Sequence, residues 1–547
     1  MRCEALFALT RHFAQALVAP PILTGLGVDF LRRTIAGVIA MLLVSGIFVT
    51  RALFKKYLDL DAQWDEPGYL RAVQADTLLM IALPMLVVGI FATLLSPMLF
   101  PDETDYRTLA PLPITRLELF GAKLLAVSGV VVTGVLAVTA VTTLWFPAAI
   151  GGRWMPYALA ARVSAHAVAA LAGSLWAAGA AMAVYGLCLV VTPVGWRRQA
   201  ASAVQAGMFF VLLLTIPFVL RIPTLEVSAD HVAVSPLIWM PPIWFLGVER
   251  WLLDPSAAGG YADAAAVALV AAVGVAITIA ASYVVLYRSA ERLAATVGHV
   301  SVICRGDLVG STSPVVAFTI RALLRSRLHQ MVLLLVVGAG IAILIGQRAS
   351  LHALFMAPLL VALCTTLALR TVFLLPLDEQ ANWIFRLTET PRTRRHQLDA
   401  VVRMFVLGGL VPALALCALV HPAALGSRWV WSATFSALAA LLLVEVIVRE
   451  WRRIPFTCTY LPGKRVLAYT LGVLFASYAV FVYIGAAVIH WAVASAPHSV
   501  VYAGALLTGW LALRRERLRT WAETPLEFED EDPLAPRSLG LIPDERP

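Results

Sequence analysis

Residues 77–100, TLLMIALPMLVVGIFATLLSPMLF, contain no ionisable side chain. A helix rises 1.5 Å per residue, so about 20 apolar residues cross the roughly 30 Å hydrocarbon core of a bilayer. A helix also satisfies its backbone hydrogen bonds internally, as a span in lipid must. The stretch therefore predicts a transmembrane helix.

The rest of the chain has the same character. Of its 547 residues, 60% are hydrophobic and 14% are charged, whereas about 25% are charged in soluble domains. The mean hydropathy is +0.84. A water-soluble fold is excluded, and an all-α, polytopic integral membrane protein of about twelve transmembrane helices is predicted. Hydropathy places the spans near 34–50, 77–100, 119–147, 163–191, 203–220, 264–287, 330–347, 351–376, 401–420, 428–448, 466–492 and 499–513.

The basic residues predict an orientation. Most of the 42 Lys and Arg residues fall on one side of these spans, together with both termini. By the positive-inside rule, that side is cytoplasmic. The net charge of +9 follows from this bias and requires no nucleic-acid partner. We expect a multi-pass protein of a bacterial-type cytoplasmic (inner) membrane, with the lipid bilayer around it and both termini cytoplasmic.

The predicted spans divide into two repeats of six. The expected parts are a cytoplasmic interfacial amphipathic segment (1–33), a first six-helix transmembrane half (34–287), a cytoplasmic linker (288–330), a second six-helix half (331–513) and a cytoplasmic tail, expected to be disordered (514–547). Two halves of identical topology would be related by an axis along the membrane normal.

An internal match supports the repeat. The sequence LFPDETDYRTLAPLPITRLELFGAKLL follows the second span, and LLPLDEQANWIFRLTETPRTRRHQLDAVV follows the eighth. The acidic pair at 102–103 aligns with the pair at 378–379, and Pro113 aligns with Pro391 after an insertion. Both segments occupy the same place in their half, which favours a duplication.

Two local patterns carry further predictions. The segment PPIWFLGVERWLL, 241–253, predicts a short outer helix with Pro242 near its first turn; it either dips into the outer leaflet or folds as a cap over the bundle. Glu445 precedes Arg449 by four residues, a spacing that predicts an ion pair along one helix.

Sequence signatures of catalysis are missing. The chain contains no G-x-x-x-x-G-K-[ST], HExxH or GxSxG pattern, and its six cysteines are scattered without a CxxC pair. We therefore expect no ATP binding by this chain alone, no enzymatic activity, no cofactor and no metal. One local grouping, Glu226, Asp230 and His231, lies on an outer loop where solvation is the ordinary role of such residues.

The loop after the second span carries a family resemblance. Its Asp105, Leu112-Pro113-Ile114-Thr115-Arg116, Glu118-Leu119 and Lys123 resemble a stretch in permeases of type-2 ATP-binding-cassette (ABC) exporters. In that family, this loop forms a coupling helix that docks on a separate ATPase subunit. The segment at 2–18 resembles the family's interfacial connecting helix, and PPIWFLG resembles its outer helices.

The resemblance implies residues of a docking site. Those in the first loop are Asp105, Pro113, Thr115, Arg116 and Glu118, and those in the second loop are Arg392, Arg394 and Arg395. The side chains of Arg116 and Glu118 are expected to project without a partner in this chain. The second loop lacks the LPxT pattern and is strongly basic, so the two docking sites need not be equivalent.

The function expected from this resemblance is that of the membrane-spanning permease subunit of an ATP-dependent (ABC-type) exporter. Most such permeases have six spans and pair as two subunits, so this chain would be a fused pair. One alternative is an ion-coupled secondary transporter, which needs buried ionisable residues at the bilayer midplane. Others are an intramembrane enzyme acting on lipids and a scaffold protein without transport activity.

Overall fold

The structure of the protein is a computed structural model. It describes residues 2–18, 51–100, 115–224, 236–256, 259–296, 314–346, 351–375, 385, 387–426, 429–449, 451–456 and 482–526. Every long regular element within these ranges is a helix, and no strand occurs in them. The predicted all-α class is confirmed.

The helices are numbered here in chain order. They are α1 Arg2–Val18, α2 Glu66–Leu99, α3 Arg116–Ala149, α4 Leu159–Val191, α5 Arg197–Leu220, α6 Pro241–Leu253, α7 Gly260–Thr296, α8 Pro314–Arg325, α9 Arg327–Gly346, α10 Leu351–Leu374, α11 Pro391–Leu425, α12 Trp429–Val448, α13 Val482–Val493 and α14 Ala496–Glu523. Residues 51–62 are also helical. The chain forms two compact units, Met1–Ile303 and Cys304–Pro547, called unit 1 and unit 2 below.

Nine helices in the described ranges are long and apolar enough to cross a membrane: α2, α3, α4, α5, α7, α9, α10, α11 and α12. Each coincides with a predicted span, so the chain has the character of a multi-pass membrane protein. The expected span at 34–50 lies outside the described residues, and 466–492 is described only from 482 onward. The expected span at 499–513 lies in α14, which is not among the nine.

The predicted amphipathic helix at the start of the chain is confirmed as α1. Its apolar side chains Leu9 and Phe13 are buried against Leu119 and Ala122 of α3. The ammonium of Lys123 lies 5.5 Å from the centre of the Phe13 ring, a favourable cation–π distance. One face of α1 is therefore fixed to the first turns of α3.

The short helix predicted at 241–253 is confirmed as α6, with prolines at its first positions. Its Ile243, Phe245 and Leu246 are buried in a cluster contributed by α2, α4 and α7. A Cβ at Gly247 would lie 2.6 Å from the carbonyl oxygen of Tyr261 in α7, so only glycine permits this approach. Of the two alternatives, the contacts match a cap folded on the helix bundle.

The core of unit 2 surrounds α10, α11 and α12. The rings of Phe373, Phe405 and Trp451 pack edge to face, with centroids 5.3 to 6.4 Å apart. Trp521 of α14 donates from Nε1 to the carbonyl oxygen of Trp451 at 3.1 Å. The last described helix is thus attached to this core by a buried polar contact.

The predicted pairing of Glu445 with Arg449 is wrong. Glu445 instead accepts from Arg517 Nε at 2.6 Å and Nη2 at 3.1 Å, across 72 residues of sequence. Arg449 pairs with Glu516 at the surface. Helical spacing did bring Glu445 and Arg449 to one side of α12, but α14 supplies a closer partner to each of them.

Candidate docking segments and buried polar groups

The first predicted docking segment meets the described residues at Thr115. Thr115 Oγ1 accepts from the backbone N–H of Glu118 at 3.3 Å, and Glu118 Oε2 accepts from the backbone N–H of Thr115 at 2.8 Å. This reciprocal arrangement is a capping box, which satisfies two otherwise unpaired donors at the start of α3. The expectation that Glu118 lacks a partner in this chain is wrong, because its carboxylate forms the cap.

The other residues predicted in this segment are Asp105, Pro113 and Arg116. Asp105 and Pro113 lie outside the described residues, and Arg116 is the first residue of α3. Thr115 is exposed at the junction between the loop and the helix.

The second predicted segment begins α11 in a related way. Thr390 Oγ1 accepts from the backbone N–H of Thr393 at 3.2 Å, while Thr393 Oγ1 accepts from the backbone N–H of Thr390 at 2.8 Å. Judged by these caps, Thr390 corresponds to Thr115. The sequence alignment of Pro113 with Pro391 does not match this correspondence, because Pro391 already lies inside its helix.

The three arginines of the second segment differ in their surroundings. Arg392 and Arg395 are exposed. Arg394 is largely buried; it donates from Nε to Glu389 Oε1 and from Nη1 to the carbonyl oxygen of Thr524, both at 2.9 Å. The same Glu389 oxygen accepts from the backbone N–H of Leu526. Arg394 therefore joins the start of α11 to the chain that follows α14.

Unit 1 contains buried polar groups that sequence reasoning missed. Asp76, in α2, is 2% exposed and accepts from Lys56 Nζ at 2.7 Å and from the Tyr57 hydroxyl at 2.6 Å. Burial, with the nearby Asp76 carboxylate, raises the pKa of the Tyr57 hydroxyl far above its ordinary value. Tyr57 therefore stays protonated and remains a donor to Asp76.

A second polar contact joins the start of α2 to the chain after α3. The Tyr69 hydroxyl donates to the carbonyl oxygen of Ile150 at 3.1 Å and accepts from the backbone N–H of Gly152 at 3.0 Å. Nearby, Arg153 forms a two-point ion pair with Asp61 at 2.8 and 3.0 Å. That hydrogen bonding raises the pKa of the Arg153 guanidinium.

A third contact joins α6 to α4. His166 Nδ1 lies 2.9 Å from Glu249 Oε2, and the two side chains are 0% and 6% exposed. Their 83-residue separation explains why local sequence patterns did not pair them. The available signal was the adjacent charged pair Glu249 and Arg250 in the otherwise apolar run PPIWFLGVERWLL.

The described ranges contain no cluster of three or more His, Cys, Asp or Glu side chains that could hold a metal ion. The grouping at 226–231 noted in the sequence lies outside those ranges.

Comparison with known proteins adds no relative. No family model, no curated protein and no solved structure matches this chain. The class of protein that the fold defines is a helical protein with the features of a multi-pass membrane protein.

Proposed function

We propose that this chain is the membrane-spanning permease subunit of an ABC-type exporter, driven by a separate ATPase that docks on its cytoplasmic loops. The observation that carries the proposal is the capped junction at Thr115, where the LAPLPIT segment resembling a coupling helix continues directly into α3. A partner that moves this segment would move α3 with it, because the capping box fixes Thr115 to the first turn of that helix.

The length of α3 makes this coupling effective. Its 34 residues correspond to roughly 50 Å at 1.5 Å per residue, enough to cross the whole bilayer. Its first turns also carry α1, through Leu9 and Phe13. Displacement of the loop would therefore shift α1 and α3 together as a rigid body, the kind of motion used in domain and helix switching.

The same proposal places the chain in a cytoplasmic (inner) membrane with both termini in the cytoplasm. Cysteine labelling from outside intact cells should modify a probe at Ala257 and leave probes at Ser311 and Ala535 protected. The opposite labelling pattern would invert the orientation and place both docking loops on the wrong side for an ATPase.

The central experiment is purification of the tagged chain together with its partner. The isolated chain should hydrolyse no ATP, whereas the co-purified complex should hydrolyse it and lose this activity when the partner's phosphate loop is disabled. Steady hydrolysis by the isolated chain would overturn the proposal.

The docking segment is tested by Arg116→Glu. Charge reversal at an interface residue should cost about 2 kcal/mol or more of binding, roughly thirty-fold in affinity, while the melting temperature of the chain stays unchanged. The parallel variant Arg395→Glu makes the same reversal at the second segment and reports whether both segments bind the ATPase. Retention of the ATPase and full transport by Arg116→Glu would show that the first loop only anchors its spans.

The rival function, an ion-coupled transporter, needs buried ionisable residues at the bilayer midplane, and the buried carboxylates among the described residues of unit 1 are Asp76 and Glu249. Asp76 directly precedes the apolar run at 77–100, and Glu249 lies on the capping helix α6, so both are near the end of the bundle rather than at its middle. Transport assays in reconstituted vesicles separate the two functions. An ABC-type permease moves its substrate when the partner hydrolyses ATP, whereas an ion-coupled transporter moves it under an imposed ion gradient without ATP.

A further inference from the structure

A cleft opens in unit 1 where one end of the helix bundle meets α6. Its wall includes Thr77 of α2, Phe146 of α3, Arg162 of α4 and Arg250 of α6. The space between its walls, counted together with the open solvent at its mouth, is about 310 Å³. The inner part is narrow, so it admits one edge of a polar group while the rest of a ligand stays at the mouth.

Two guanidinium groups of this cleft have donors without acceptors. Arg162 is 9% exposed, and no group of the described chain accepts from its Nε or Nη1. Nε of Arg250 is likewise buried without an acceptor. A buried cation without a counter-charge is costly, so these groups favour a negatively charged ligand in the cleft.

The one carboxylate on the cleft wall is already engaged. Glu249 Oε2 lies 2.9 Å from His166 Nδ1, within hydrogen-bonding distance. It forms no ion pair with Arg162 or Arg250 within 4 Å. The cleft wall therefore carries two guanidinium groups and one carboxylate, and that carboxylate is paired with His166. Its charge is suited to an anion.

The position of the cleft indicates where that anion comes from. Arg162 lies in the first turn of α4, and Arg250 lies in the last turn of α6, so both are at an end of the bundle rather than along its apolar length. Exposed Trp251 directly follows Arg250, and exposed Trp64 packs against Trp154, eight residues before Arg162; tryptophan is enriched at the level of lipid headgroups. A headgroup at that level presents a phosphate to the open mouth.

We propose that Arg162 and Arg250 form a binding site for a phosphate oxyanion, supplied by a phospholipid headgroup or by free inorganic phosphate. Guanidinium groups bind phosphate oxygens in a two-point geometry and through charge-assisted hydrogen bonds. The cleft accepts one edge of the phosphate, and a lipid's acyl chains would extend past the mouth along the apolar surface of the helices.

The test uses the full chain, purified in detergent and stripped of lipid. Its melting temperature is followed against three additions: phosphatidylglycerol, diacylglycerol with the same acyl chains but no phosphate, and inorganic phosphate. We expect phosphatidylglycerol or inorganic phosphate to raise the melting temperature and diacylglycerol to leave it unchanged. Stabilisation by the lipid alone identifies a headgroup as the source, and stabilisation by both identifies a general phosphate site.

Substitution localises the effect. Arg162→Gln should lower the affinity for the stabilising compound about tenfold or more, because a charged hydrogen-bonding partner is lost. The control is Arg153→Gln, at the same end of the bundle but exposed and already paired with Asp61; it should leave the affinity unchanged. If Arg162→Gln does not fold, the same loss of affinity is measured with Arg250→Gln, which removes the other guanidinium of the cleft.

Three results would overturn the proposal. They are no stabilisation of the wild-type chain by either phosphate compound, equal stabilisation by diacylglycerol, and equal loss in Arg153→Gln and Arg162→Gln. The last would mean that surface charge alone attracts the phosphate. None of these measurements requires an ATPase, so their outcome is independent of the proposed transport function.

Discussion

Each unit of the molecule buries an arginine, and the two arginines are treated differently. In unit 2, Arg517 is 3% exposed, donates through two nitrogens to Glu445, and lies 4.3 Å over the Trp521 ring. In unit 1, Arg162 is 9% exposed and has no ion pair. A guanidinium paired with a carboxylate stabilises the fold, whereas a guanidinium on a cleft wall that forms no ion pair is available to a ligand. The difference separates a structural charge from a functional one.

The largest expected effect is on the stability of unit 2, where the buried Arg517 is paired with a carboxylate. Glu445→Ala leaves the Arg517 guanidinium buried without its counter-charge, which should cost about 3–5 kcal/mol of unfolding free energy. Denaturant or thermal unfolding of the purified chain in detergent measures the change.

The matched control for that prediction is Glu516→Ala. Glu516 pairs with Arg449, and the two side chains are 48% and 50% exposed, so this variant should lose less than about 1 kcal/mol. Equal losses in the two variants would show that burial of the Glu445–Arg517 pair does not determine its strength.

The next effect concerns the contact between α11 and the end of α14. Arg394→Ala removes charge-assisted hydrogen bonds to Glu389 and to the Thr524 carbonyl, so we expect a loss of about 1.5–3 kcal/mol. Limited proteolysis should also cut faster near 524–526, since the anchor of that segment is gone. The control Arg395→Ala, at an exposed position, should stay within about 0.5 kcal/mol of the wild type.

A smaller effect is expected at the two capped helix starts. Thr115→Ala removes the cap of α3 and Thr390→Ala removes that of α11; each should cost about 1 kcal/mol, the usual value for such a cap. Circular dichroism during thermal unfolding measures both. If Thr115→Ala has no effect, the junction proposed to transmit force to α3 is not rigid.

The smallest effect is expected at the functional arginine. Arg162→Gln removes a buried charge that has no counter-charge in the described chain, so the stability of lipid-free protein should change by less than about 1 kcal/mol, with a gain more expected than a loss. A loss as large as that of Glu445→Ala would break the comparison, because it would mean that Arg162 also has a structural counter-charge.

The sequence was most informative about the membrane-spanning helices. A long apolar run crosses a bilayer whatever its neighbours are, so composition and length alone predicted helices such as α2, α7 and α12. The helices α1 and α6 were also predicted from local patterns. The apolar spacing of α1 and the prolines in the first turn of α6 each involve residues only a few positions apart in the sequence.

Contacts between distant segments could not be predicted in this way. The i to i+4 rule assigned Arg449 to Glu445 because it considers only one helix, whereas the true partner, Arg517, comes from another. The span predicted at 163–191 began four residues after the true start of α4, so Arg162 fell just outside it. Glu118 was expected to be available to a partner, although the Thr-x-x-Glu spacing at 115–118 is itself the signature of a capping box.

The pair of Glu445 and Arg517 also sets a schedule for biosynthesis. The ribosome makes Glu445 72 residues before its partner, and at roughly 5–20 residues per second this interval lasts on the order of 4–14 s. During that time α12 must enter the bilayer with a carboxyl group that has no guanidinium to meet it. Unit 2 therefore reaches its observed packing only after α14 has been synthesised, because the counter-charge of Glu445 comes from that helix.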